Sequence, residues 1–202
     1  MGTEARLRIG KIIQMAEPGP GEKALLLGGG EGMLAESLRQ AGAEVVWLEP
    51  SPGGETSGNS PLASQGFKRL IGDLIRLPFA DETFDLVASQ FALQYQGDPA
   101  TALTEWMRVL KKNGMLILVT SNSRFKGEQQ RPGSRTNPGF DCDELRGLLD
   151  PLELADIETC TLIPDLKLPG LYRRDLSFCR RLADLPYFGS RGKLLFLKGV
   201  KS

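Results

Sequence analysis

The sequence predicts an α/β fold: a doubly wound, mostly parallel sheet of about seven strands, in one domain spanning residues 1–202. Three observations predict it. Short apolar runs of strand length alternate with helical patterns, and that alternation implies right-handed crossovers with helices on both sheet faces. The first apolar run ends in a glycine cluster that opens into a helical pattern. The second ends on a carboxylate. Ligands of such sheets sit at the carboxyl ends of the strands, near the topological switch point.

Each element follows in order. Glu4–Ala16 mixes charges with apolar residues and reads as an amphipathic helix covering the sheet. It lacks the long apolar stretch of a secretory signal. Lys23–Leu27 is the first strand and Gly32–Ala41 the first crossover helix, stopped at Gly42. Glu44–Leu48 is the second strand. Ser51–Pro61 is too rich in Gly, Ser and Pro for a stable helix and reads as a loop. Strands follow at Phe67–Ile71, Phe84–Ser89 and Gly114–Thr120, with a helix over Pro99–Leu110. Ser121–Gly139 is polar and reads as a long loop. Asp141 is placed to cap a helix through Leu149. Leu154–Ile163 and Lys193–Val200 complete the strands.

The chemistry starts at Ala24-Leu-Leu-Leu-Gly28-Gly29-Gly30-Glu31-Gly32. Glycines accept positive φ and let a ligand approach with no Cβ in the way. Glu49 ends the second strand about 20 residues after the turn, where a carboxylate accepts from ribose hydroxyls. The unit suits an adenosine-containing ligand. A nicotinamide fingerprint wants glycine at the first, third and sixth positions. Counted from Gly28, the sixth position is Met33, so the spacing suits a ligand with no pyrophosphate to cradle.

Downstream come Ile71-Gly-Asp73-Leu74, then Asp81-Glu-Thr-Phe84-Asp85-Leu-Val-Ala-Ser89-Gln90, Leu93-Gln-Tyr95 and Lys111-Lys-Asn-Gly114-Met-Leu-Ile-Leu-Val119. With these in order, the chain resembles the class I S-adenosylmethionine-dependent methyltransferases. The resemblance is strongest to the small-molecule group that includes the quinone-biosynthesis enzymes, and it covers roughly residues 20–122. It implies a Rossmann-like sheet with an antiparallel final strand, S-adenosyl-L-methionine as cofactor, and methyl transfer to a small-molecule acceptor. It also implies roles. Gly28, Gly29, Gly30 and Gly32 would line the methionine and ribose side. Glu49 would bind the ribose and Pro50 an adenine face. Asp73 and the Leu74 backbone would meet the adenine edge. Ser89 and Gln90 would face the methionine end. Three positions depart from the family pattern: Leu26 replaces an acidic residue, Gln94 a frequent histidine, and Ser51–Pro61 a helix. These departures feed an alternative, a methyltransferase-like binding or scaffold protein with weakened turnover.

Composition excludes other classes. Charge is balanced at 25 basic and 25 acidic residues, so no global field attracts nucleic acid. No apolar run approaches the roughly 18 residues of a membrane span. Three separated cysteines (Cys142, Cys160 and Cys179), with no export signal, read as reduced thiols of a cytoplasmic protein. There is no histidine, which removes the commonest metal ligand and neutral-pH base, and no metal site is expected. Tyr95 and Tyr172 receive no catalytic role, and the catalytic residues stay unassigned. Residues 164–190 read as a helical segment between the last two strands. Its arginines, Arg173, Arg174, Arg180 and Arg181, suit either a solvated surface or a cap meeting an anionic acceptor. Oligomeric state leaves no trace in the sequence.

Overall fold

The computed structural model describes residues 3–28, 32–50, 57–58, 68–125, 139–162 and 192–202. Helix α1 spans Thr3–Ala16 and is followed by β1, Lys23–Gly28. Helix α2 is Met33–Gln40 and β2 is Glu44–Pro50. Two short strands come next, β3 at Ser57–Gly58 and β4 at Lys68–Gly72. Strand β5, Phe84–Gln90, runs into a 3₁₀ turn at Leu93–Tyr95. Helix α3, Pro99–Val109, passes directly into β6, Leu110–Ser121. Helix α4, Cys142–Leu149, precedes the last strands, β7 at Leu154–Leu162 and β8 at Leu194–Lys201.

Local chemistry explains where the helices start. Asp98 caps α3 by accepting from the Thr101 amide at 3.1 Å, and Pro99 supplies a first residue that needs no amide partner. Asp141 and Glu144 form a reciprocal capping box on α4. Asp141 accepts from the Glu144 amide at 2.9 Å, and Glu144 accepts from the Asp141 amide at 2.7 Å.

The sheet has eight strands in the order β3-β4-β2-β1-β5-β6-β8-β7. β1 pairs in parallel with β2 and β5, β2 with β4, and β5 with β6. β8 runs antiparallel between β6 and β7. The chain winds outward from β1 to β4, then returns to place β5 on the other side of β1. The switch point therefore lies between β1 and β5.

Every expected strand is present. One more is found in the stretch read as a loop, where Ser57 and Gly58 pair antiparallel with Ile71 and Leu70. The edge of β4 offers backbone groups that a short segment can satisfy without any side-chain packing. Strand β6 also begins earlier than expected, at Leu110, because Leu110 pairs with Phe84 across an irregular register. Asn113 absorbs the irregularity with φ +60°. The helical segment expected over 164–190, with Tyr172, Cys179 and its arginines, lies outside the described residues.

Two apolar layers clamp the sheet. Leu26, Trp47, Leu86, Ala88, Ile117 and Phe196 meet α1 and α2 on one face. Leu25, Leu27, Val87, Leu116, Leu118 and Leu197 meet α3 and α4 on the other. The period of two along each strand drives this division. Among the described residues, no helix is long and apolar enough to cross a membrane.

Leu26 is fully buried in the first layer. Leu26→Ala is expected to cost about 2–5 kcal/mol. Urea denaturation would read this as a lower midpoint at unchanged slope. A loss below about 0.5 kcal/mol would show that this face is loosely packed.

Candidate functional site

Four parallel strands deliver their carboxyl ends to one edge. Gly28 of β1 stands beside Gln90 of β5, and Glu49 and Pro50 of β2 stand beside Ile71 and Gly72 of β4. The described residues expected at the site therefore share that edge. Gly29 and Gly30 lie outside the described residues.

Gly28 is glycine for a reason internal to the protein. Its φ is +71°, and an added Cβ would meet the Gln90 carbonyl oxygen at 2.9 Å and Ala92 Cβ at 3.2 Å. Its own carbonyl accepts from Trp47 Nε1 at 2.7 Å. Gly32 caps α2 with φ +72° and supplies no side-chain hydrogen bond to it. The turn thus enters and leaves in the left-handed region that glycine tolerates.

On the far side, Glu49 is half-buried and Pro50 is exposed. Asp73 turns the chain over the sheet edge, its Oδ1 accepting from the Ile75 amide at 2.9 Å. Leu74 is buried, and its carbonyl accepts from Trp106 Nε1 at 2.8 Å. Helix α3 then holds the following loop. Glu105 accepts from the Leu77 amide at 2.7 Å. Arg108 donates to the Phe79 carbonyl at 2.9 Å, to Leu77 at 3.2 Å, and to Asp81 at 2.5 Å. The Arg108 guanidinium on Glu105 holds that carboxyl below its usual range, outweighing partial burial. Glu105 and Asp81 in turn raise the Arg108 value.

Ser89 and Gln90 are both buried at the tip of β5, on opposite faces. Ser89 follows Val87 toward the α3 side, and Gln90 follows Ala88 toward α1. Ser89 Oγ is buried with no hydrogen-bond partner among the described residues. Gln90, with its amide turned to suit its neighbours, accepts from Arg8 Nε and from Arg8 Nη2, the latter at 3.1 Å. The same guanidinium lies 5.1 Å from the Phe91 ring centroid. Phe91 has φ +62°, and its amide donates to the Val119 carbonyl at 2.8 Å.

The departures from the family pattern are also placed. The Leu26 side chain belongs to the core beneath α1 and α2, so an apolar residue is what its surroundings demand. Gln94 is buried, and its Oε1 accepts from Thr120 Oγ1 and the Ser121 amide, both at 2.9 Å. It ties the 3₁₀ turn to the end of β6. Tyr95 is 60% exposed, which does not suit a base in a water-excluding pocket. The Cys142 thiol is pushed up by burial, which disfavours a nucleophilic role. No acidic or thiol cluster suited to a metal ion occurs among the described residues.

Arg8, Trp47 and Phe91 are the residues that sequence reading missed. Arg8 looked like one more charge on an amphipathic helix. Trp47 looked like core, since nothing local shows that its indole reaches a carbonyl 19 residues back.

Comparisons with known proteins identify similar sequences and a similar fold. Residues 25–118 match the model of a methyltransferase-domain family. The demethylmenaquinone methyltransferase of Corynebacterium kroppenstedtii is 40% identical over 105 residues, which is 50% of this chain and 43% of that enzyme. The chain thus matches less than half the length of that relative. A S-adenosylmethionine-dependent methyltransferase structure from Thermotoga maritima superposes with a TM-score of 0.66 at 20% identity, covering 98% of this chain and 88% of its own. Phosphoethanolamine N-methyltransferase 2 of Haemonchus contortus, in complex with S-adenosyl-L-methionine, superposes with a TM-score of 0.70 at 16% identity, covering 99% and 53%. At such identities the two structures establish the fold.

Two substitutions probe the site's framework. Gly28→Ala is expected to cost about 2–4 kcal/mol, from left-handed backbone plus overlap. Gly21→Ala, also at positive φ but with nothing within 4 Å, is expected to cost only about 1–2 kcal/mol. Equal losses in thermal or urea unfolding would mean that β5 yields freely to the added methyl. Glu105→Gln is expected to cost about 1–2 kcal/mol near pH 7. Because the folded pKa of Glu105 is lowered, its contribution is complete above the unfolded value of about 4.3 and disappears as pH falls through the folded value. The stability gap between wild type and Glu105→Gln should therefore close on acidification.

Proposed function

We propose that the chain, whose residues 25–118 match a methyltransferase-domain family, transfers the methyl group of S-adenosyl-L-methionine to a small-molecule acceptor. The observation that carries this reading is the placement of Glu49. Glu49 is half-buried near the end of β2, beside the end of β1 and beside Ile71 of β4, on the edge that holds the switch point. Two carboxylates at the tips of neighbouring strands suit two sets of donors, ribose hydroxyls at Glu49 and an adenine amino group at Asp73.

The fit is supported by one buried hydroxyl at this edge and by a stiff backbone segment beside Asp73. Ser89 Oγ is buried at the edge with no hydrogen-bond partner among the described residues, and a buried hydroxyl ordinarily has one. Leu74 is held from behind by Trp106, so its segment offers a stiff wall beside Asp73. The cofactor would supply a methyl group already activated on sulfur. The chain's part is to hold donor and acceptor in line and to exclude water. Neither a metal nor a covalent protein intermediate is needed for such a displacement. Gln94, taken up by Thr120 and Ser121, supports a structural role at the family's histidine position.

The acceptor side is a proposal of class only: a small molecule, with a demethylmenaquinone-type ring the first to test. We also place residues 1–202 in one domain, a reading supported by the single sheet that joins every described strand.

Calorimetry on the full chain tests the reading with S-adenosyl-L-methionine, its demethylated product and NAD. The two adenosyl compounds are expected to bind, and NAD is not. Glu49→Ala should weaken them about 10- to 100-fold, the size expected for lost hydrogen bonds to a charged group. Unchanged affinity in Glu49→Ala, or binding of NAD alone, would overturn the assignment.

A further inference from the structure

One ion pair on α3 grips the backbone of the loop that follows β4. Glu105 and Arg108 pair twice, through Nε on Oε2 at 2.9 Å and Nη2 on Oε1 at 2.8 Å. The same pair takes both backbone groups of one loop residue. Glu105 Oε1 accepts from the Leu77 amide at 2.7 Å, and Arg108 Nη2 donates to the Leu77 carbonyl at 3.2 Å. Arg108 Nη1 continues to the Phe79 carbonyl at 2.9 Å and to Asp81 Oδ1 at 2.5 Å. Every nitrogen of the guanidinium is engaged, although its side chain is 32% exposed. An ion pair at such exposure contributes little by charge alone. This one acts through the backbone it fixes.

The clamp governs a carboxylate four residues upstream. Leu74 and Leu77 are buried, while Ile75 and Arg76 between them are exposed. Trp106 Nε1 holds the Leu74 carbonyl at 2.8 Å. The segment is thus pinned at 74, 77 and 79, and Asp73 stands at its head. Asp73 Oδ1 accepts from the Ile75 amide at 2.9 Å, which orients the carboxylate, and Oδ2 has no hydrogen bond among the described residues. Asp73 therefore takes its position from the loop, and the loop takes its position from α3.

We propose that Glu105 and Arg108 are positioning residues for base selection: they hold the loop so that Asp73 accepts from the 6-amino group of a purine and not from the ring N–H of a 6-oxo purine. The proposal rests on the reading that this edge binds S-adenosyl-L-methionine with Asp73 at its base. Adenine carries its donor on the exocyclic nitrogen, beside an acceptor at N1. Hypoxanthine carries an acceptor at the exocyclic position and its donor at N1, one ring position away. A carboxylate accepts from either donor, so a mobile one follows whichever is offered. A carboxylate held within about 0.5 Å tells them apart. Selectivity then comes from the stiffness of the loop as well as from the residue type at 73.

Calorimetry on the full chain, with displacement titrations for weak ligands, compares S-adenosyl-L-homocysteine with S-inosyl-L-homocysteine. The wild-type chain is expected to prefer the adenosyl compound about 10- to 100-fold, the size expected for a hydrogen bond to a charged group. Arg108→Met should shrink that preference to about threefold or less by weakening the adenosyl compound alone. Arg108→Lys should keep part of it, since an ammonium restores the charge without the fork. Glu105→Gln should also narrow it, because an amide accepts from Leu77 but does not pair twice with the guanidinium. Asp81→Asn should leave it unchanged, since that partner is 74% exposed. Thermal unfolding identifies the folded variants, and Glu105→Gln carries the test should Arg108→Met not fold. An unchanged preference in the folded variants, or an equal loss for both ligands, would overturn the positioning role and leave the cofactor reading intact. A wild-type chain that binds both compounds equally would remove Asp73 as the base contact and the proposal with it. A wild-type chain that binds neither would sink the cofactor reading too.

Discussion

Gly28 leaves β1 with a positive φ and with the β5 backbone so close that a methyl group would collide with the Gln90 carbonyl. The rest of the edge is arranged around that approach. The parallel pairing of β1 with β5 brings Gln90 alongside. The Phe91 bridge closes the contact from the other side. Trp47 takes up the Gly28 carbonyl, so the end of β1 is held from a second strand. A buried carbonyl left without that donor would cost free energy comparable to a lost hydrogen bond.

The chain's two tryptophans perform matching tasks on opposite faces. Both are fully buried, and each donates its indole N–H to a backbone carbonyl at the sheet edge, Gly28 for Trp47 and Leu74 for Trp106. Trp47 holds the glycine turn from the α1 side. Trp106 holds Leu74 from the α3 side, and Glu105 and Arg108 extend that hold through the following loop. A large aromatic with one polar tip suits this use, because its body fills the core while its N–H reaches the sheet edge. Core and site are thus one construction. The two largest fully buried side chains among the described residues also hold backbone at the sheet edge.

Two departures from the family pattern acquire physical reasons. Leu26 faces a core layer covered by α1, where a lone carboxylate would have no counter-charge among Ile, Leu and Trp. Gln94 spends its oxygen on Thr120 and Ser121, which joins β5's exit to β6's end.

What was legible in the sequence was what depends on neighbours in the chain. Alternation of apolar residues marked the strands, a period near 3.6 marked the helices, and Asp98 and Asp141 marked helix starts. The glycine turn and Glu49 were legible because a backbone near positive φ and a strand-end carboxylate need particular residue types. What only tertiary structure decided were the meetings between distant segments. These are Arg8 on Gln90, Trp47 on Gly28, Trp106 on Leu74, Ser57–Gly58 on the edge of β4, and the division of Ser89 and Gln90 between two faces. Such contacts join residues many positions apart, and no local propensity records them. They come into being only when sheet order and helix packing bring those segments together.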